Sequence, residues 1–393
     1  YEALRRALRA EKDGPTARVE MPTFLALFAP HLRPLLQPVF FQLAREPVGG
    51  EPSAAWPTIV ASLASLSHGG FSWQQLLEAW APAPDDTGAA EAIDVELHVE
   101  LAASLCFWCA CPGLAPGPGA NDTLVAFVAA VQAAAVAPGA AGTLTSTAER
   151  LTAAAPCLPR AVSRYLAARL LGAAEQPGMP PLESRLLDQG GALLARSLEP
   201  RLWESGAWVP LYRDWKDGRS FNGLLKGTLH YEGPALLLIK TTKGEVFGAL
   251  STVWADGNGR YLGSAECFLF SLAPMPSVFR SSSRSGNYVY LNARNKFEPQ
   301  GLGFGGQPKF FRLWIDASFE ECYALESDAT YAGGPLLPAE GLQTPFSIAY
   351  LEVWGCGGDE ALEAQNQQRD RDQNQRDKAR KVDTAKLLEN DFD

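Results

Sequence analysis

The chain has 393 residues, enough for two or three domains, and its 47% hydrophobic against 20% charged residues allow a real buried core. A formal net charge of -10 with no basic block argues against a nucleic-acid binder and favours solubility without naming a partner. The seven cysteines (Cys106, Cys109, Cys111, Cys157, Cys267, Cys322 and Cys356) are odd in number, and several sit in apolar surroundings. That is the usage of reduced, buried thiols in an intracellular protein. No signal-peptide pattern is read from Tyr1 onward, and an opening at Tyr1 leaves the true start of the chain open. Its most apolar stretch, residues 123–137, is rich in alanine and contains Gln132. It is too short and too weakly hydrophobic for a transmembrane segment, so a soluble protein, or one held at a membrane by something else, is expected.

In chain order, residues 1–175 are expected to be helical. Residues 22–28 and 72–80 space apolar side chains three and four apart, as a helix face requires. Asn121 and Asp122 precede an apolar run that stops at Pro138 and Gly139, a start and a stop for one helix. Residues 81–88 and 113–119 are Pro/Gly loops, and residues 176–181 read as a linker. A helix is predicted at residues 185–198. Residues 235–241 and 245–251, with Lys243 and Gly244 between them, carry a hairpin signal. Residues 267–272, 288–291, 310–315 and 348–354 are further short strands, separated by turns such as residues 256–259. The fold class is therefore α+β: a helical N-terminal region, then a domain of largely antiparallel sheets with flanking helices over residues 182–357. Residues 359–393 mix acids and bases with Gln and Asn, contain no Pro or Gly, and predict a polar C-terminal helix ordered by a partner, or else a solvated tail.

The sheet region resembles the TLDc family, the oxidation-resistance type. Leu211-Tyr212 precedes Gly218-Arg219-Ser220-Phe221; Leu236 to Lys240 and Gly244 to Ala249 are similar to the family's central hairpin. Glu266 to Phe270, Gly303 to Gly306, Leu313 to Asp316 and Glu352-Val353-Trp354 resemble the blocks that follow, in the same order. The layout of helical front, TLDc domain and charged tail is most like the family's mTOR-associated, lysosomal branch. The resemblance implies ties to oxidative stress or nutrient signalling and docking on subunits of the vacuolar proton-pumping ATPase (V-ATPase), with no accepted catalytic mechanism. It also implies that Glu352, Trp354, Gly305 and Gly306 are sensitive positions, at a partner surface or in its support. From the residues themselves, Leu387, Leu388 and Phe392 are candidate anchors for a partner groove. The expected place is the cytoplasm, peripheral at lysosomal or vacuolar membranes; the alternative is a structural component of a cytoskeletal or ciliary assembly.

Other chemistries are poorly supported. A phosphate loop aims backbone N–H groups from a helix start after a strand, but a strand follows residues 301–306 and no Lys-Ser pair is present, so a structural turn needing positive φ is expected. Cys106, Cys109 and Cys111 lack the second cluster that zinc commonly needs, and the neighbouring Phe107 and Trp108 point to a buried helix. Residues 12–16 and 67–70 are turns before helical stretches, an EF-hand-like arrangement, but the second has no carboxylate to hold calcium. There is no Gly-x-Ser-x-Gly elbow, His230 is a lone histidine near the first hairpin, and Cys322 and Cys356 belong to no CxxC pair. Neither enzyme activity nor a cofactor or metal is expected.

Overall fold

The computed structural model describes residues 18–44, 53–55, 58–59, 61–62, 70–81, 94–112, 114–135, 143–171, 182–338 and 341–390, the last sixteen as backbone alone. The chain divides into two compact units: residues 1–204 with 272–277, and residues 205–271 with 278–393.

The first unit is mainly helical. Helix Met21–Ala26 covers most of the predicted 22–28 segment, and helix Trp73–Glu78 the 72–80 segment. The latter begins with a capping box, in which the Ser72 hydroxyl accepts from the Gln75 N–H and the Gln75 side chain accepts from the Ser72 N–H. Helix Val95–Ala110 buries Cys106, Phe107, Trp108 and Cys109, so this cysteine cluster is packed core. Its His98 is buried with Nδ1 3.0 Å from the Leu77 carbonyl, a structural histidine. Helix Pro118–Ala135 begins before the predicted Asn121, because Pro118 tolerates a first helical turn where its missing N–H is not needed. Helix Gln189–Ser197 begins later than predicted: Ser184 takes the N–H groups of Leu186 and Leu187, and Asp188 caps Gly191 at 2.7 Å. One exception to the helical expectation is a small antiparallel pair, β1 (Arg18–Glu20) with β2 (Ser53–Ala55). The turn at 12–16, and 67–69 of the second turn, lie outside the described residues. Among those described, no helix is long and apolar enough to cross a membrane.

The second unit is built on two six-stranded sheets. Its strands are β3 (Val209–Arg213), β4 (Ala235–Thr241), β5 (Val246–Ser251), β6 (Tyr261–Leu262), β7 (Phe268–Ala273), β8 (Ser277–Phe279) and β9 (Val289–Asn292). They continue with β10 (Gly301–Phe304), β11 (Leu313–Asp316), β12 (Cys322–Leu325), β13 (Gln343–Phe346) and β14 (Ile348–Gly355). One sheet runs β3-β14-β4-β5-β7-β8 and the other β13-β12-β11-β10-β9-β6. The last strand, β14, is antiparallel to both β3 and β4, which ties the end of the domain to its beginning. Leu237, Ile239 and Phe247 from one sheet share a core with Leu291, Leu302 and Ile315 from the other. Phe221, Leu224 and Leu225 of helix Phe221–Thr228 complete that core.

The glycine-rich segment is mostly strand, which corrects the turn predicted there. Leu302 and Phe304 face the shared core, so alternation puts Gly301 and Gly303 on the outer face. There Gly303 pairs with Tyr290 on one side and Trp314 on the other. The Phe311 and Trp314 rings stack 4.4 Å apart at 11°, and a Cβ on Gly303 would meet the Phe311 ring at 2.5 Å. The glycine is what lets the aromatic layer lie flat on the sheet, a packing that also shields the bare backbone. Gly305 and Gly306, just after the strand, turn with φ of 66° and 67°, and Gly301 at its start has φ 156°. Gly303→Ala is expected to destabilise the protein by about 1–3 kcal/mol through overpacking, read from denaturant midpoints. Gly286→Ala, where an added Cβ meets nothing within 4 Å, is the control, expected within about 0.5 kcal/mol of the parent.

Candidate partner-binding site

Strand β14 places Glu352 opposite Arg213 of β3. Glu352 is fully buried; its Oε1 accepts from the Trp215 indole N–H at 2.9 Å and its Oε2 from the Trp354 indole N–H at 2.9 Å. The Arg213 guanidinium lies 5.3 Å from the Trp215 ring and 5.9 Å from the Trp354 ring. A buried carboxylate is tolerable only when its oxygens are hydrogen-bonded; the two indoles do this, and Arg213 is its partner across the ladder. Glu352 and Trp354 are thus brought together, but as an interior brace; in this structure neither offers a surface.

The Gly218-Arg219-Ser220-Phe221 block serves the same region. Gly218 turns at φ 81°, the Ser220 hydroxyl caps Gly223 at 3.0 Å, and Phe221 enters the core. Arg219 grips Asp214 at 2.6 Å and donates to the carbonyls of Ile348 and Ala349, clamping the start of β14.

Gly305 and Gly306 form a separate cluster. The Gly306 N–H donates to Asp328 Oδ2 at 2.9 Å and the Gly305 N–H to the Tyr288 carbonyl at 3.2 Å. Asp328 also accepts from the N–H groups of Thr330 and Tyr331, and lies 3.7 Å from Nε of the buried Arg312. Arg312 in turn donates to the carbonyls of Leu325 and Gly334. The anion held by this turn is therefore the protein's own Asp328, which leaves those N–H groups occupied and argues against a phosphate loop. Beside it, Phe310 is 60% exposed and Lys309 has φ 71°.

The residues weighed for enzymatic chemistry are each engaged by a different neighbour. Burial, reinforced by the Asp316 carboxylate, pushes the Cys322 thiol up to about 12, so it stays protonated and a poor nucleophile. Cys356 is buried with its thiol donating to the Trp354 carbonyl, and His230 lies 3.3 Å from Asp372. An open groove of about 870 Å³ runs between the β4–β5 turn, residues 320–323 and edge strand β13. Pro345 on that edge lacks an N–H, and Ser347 already gives its carbonyl to Thr242, so the edge is blunted against strand addition.

The C-terminal segment is one helix, Gly358–Asn390. Gln365 is fully buried on the domain and Arg369 donates to its backbone, contacts that reading the sequence missed. Leu387 and Leu388 fall in the backbone helix, and Phe392 lies outside the described residues.

Residues 183–357 match the TLDc domain family. The chain is similar to "MTOR-associated protein MEAK7" of Danio rerio, 37% identical over 163 residues that cover 41% of this chain and 35% of the relative. The Homo sapiens protein of that name is 30% identical over 151 residues, 38% of this chain and 32% of the relative. "Nuclear receptor coactivator 7" of Mus musculus is 29% identical over 179 residues, 46% of this chain and 17% of the relative. The matched part of the chain spans about a third of the length of the MEAK7 relatives.

Glu352→Gln offers one acceptor to two indole donors and leaves Arg213 without its opposite charge. It is expected to cost about 1–3 kcal/mol in equilibrium denaturation, the effect of leaving a buried donor poorly satisfied. Parent-like stability in that variant would mean that Glu352 does not brace the fold.

Proposed function

We propose that this chain, which carries a TLDc domain at residues 183–357, is a non-enzymatic regulatory protein that docks on the cytosolic sector of the vacuolar proton-pumping ATPase. The observation that carries this reading is the internal engagement of the domain's chemically capable groups. Glu352 is held by two indoles, Asp328 by its own turn, and the Cys322 thiol is kept protonated by burial. A domain arranged this way offers partners a rigid surface rather than a reactive centre. The name of the relatives, "MTOR-associated", supports a regulatory role through a protein partner; the lysosomal or vacuolar membrane is the place this reading assigns. In this reading the domain provides the main docking surface, and the far part of the tail, with the candidate anchors Leu387, Leu388 and Phe392, reaches a second subunit.

Removing residues 375–393 leaves Gln365, Arg369 and Asp372 in place and so tests the tail apart from the fold. The full chain is expected to co-migrate with the purified cytosolic sector of the pump. The truncated chain should bind about tenfold more weakly, through loss of the second attachment, with an unchanged melting temperature. Co-sedimentation with microtubules and no binding to the pump sector would instead favour a cytoskeletal or ciliary component.

A further inference from the structure

The last four carbonyls of any helix lack partners within it. At the end of helix Phe221–Thr228 the Leu225 and Thr228 carbonyls accept from the Leu229 and Tyr231 N–H groups, and the Lys226 and Gly227 carbonyls are taken by the tail. Gln365 Nε2 donates to the carbonyls of Gly227 at 3.1 Å and Leu229 at 2.9 Å. The Arg369 guanidinium donates to the carbonyls of Lys226 at 2.6 Å and Gly227 at 2.9 Å. A cation at this end also meets the negative pole of the helix. One turn further, Asp372 Oδ2 lies 3.3 Å from His230 Nε2, just beyond the same helix. Residues 365, 369 and 372 are four and three apart, so they share one face of the tail helix.

The root of the tail is fixed as well. The Gly357 N–H donates to the Tyr231 hydroxyl at 2.8 Å. A Cβ on Gly233 would come within 2.8 Å of the Gly357 Cα and 3.0 Å of the Ala361 Cβ, so the first turn lies against bare backbone. Attachment therefore runs from Gly357 to Asp372, about 22 Å of helix at 1.5 Å per residue. Apart from Ala361, the contacts named are polar and directional, which suits them to setting an angle more than to adding strength. The helix then continues about 27 Å to Asn390.

We infer that Gln365, Arg369 and Asp372 are positioning residues: by capping helix Phe221–Thr228 from outside, they fix the direction in which the tail leaves the domain, and so set how it meets a partner. The second half of this statement rests on the proposed docking role; the first does not. The test uses the full chain with nitroxide labels at Lys243→Cys and Arg376→Cys, the seven native cysteines being buried. The parent is expected to give one narrow distance distribution. Gln365→Glu with Arg369→Ala, which turns a carboxylate toward two carbonyls and removes the cation, should abolish the narrow peak. Arg369→Lys, which keeps a cationic donor, should retain it. Arg369→Ala alone carries the test if the double variant does not fold. A narrow peak that survives the double change overturns the positioning role. Loss of the peak should come with about tenfold weaker binding to the pump sector, because a loosened arm lowers the effective concentration of its far end. Loss of the peak with parent-like affinity overturns the link to partner engagement. Failure of the parent chain to bind the pump sector would count against the proposed function and leave the distance result standing.

Discussion

The second unit depends on a carboxylate that has left water. Glu352 sits at the middle of β14, between the two strands that this last strand joins, and an unpaired charge there would cost several kcal/mol. Trp215 and Trp354 supply its hydrogen bonds and Arg213 faces it across the ladder. Those partners come from residues about 140 positions apart in the chain, so the brace forms only when the domain has closed on itself. Arg219 then holds the beginning of β14, and the tail helix follows directly from its end.

The same economy recurs at the glycine-rich segment. A buried arginine, an aspartate and two glycine N–H groups satisfy one another and their neighbours there, and an aromatic layer covers the strand beside them. Both clusters would attract attention as chemistry if read as lists of residue types. Their geometry makes them supports of the fold, while Phe310 beside the second of them stays exposed.

Much of this was legible in the sequence, for identifiable reasons. The β4–β5 hairpin was clear because an apolar run broke at Lys243 and Gly244 and resumed. The ordered blocks from Leu211 to Trp354 pointed to the right domain. In the second unit β3, β6, β8, β12 and β13 went unread: β3 and β13 each contain a proline, β6 and β8 are only two and three residues long, and β12 is a four-residue strand beside an acidic turn. Gly303 suggested a turn because glycine's usual role is conformational; here the need is space under the Phe311 ring. Glu352 and Trp354 were singled out, but their burial was hidden because a charged residue gives no sign of the indoles that will surround it. Gln365, Arg369 and Asp372 were invisible for a related reason. The tail has no apolar periodicity, and a polar face that caps another helix looks like any solvated run.

In the proposed function this protein regulates the proton pump by binding to it. The most direct test of that role is the ATP hydrolysis rate of the purified proton pump, titrated with the full chain. The account predicts a saturable change in rate that levels off once the pump sites are filled. A rate that stays unchanged at saturating concentrations of the chain would contradict it.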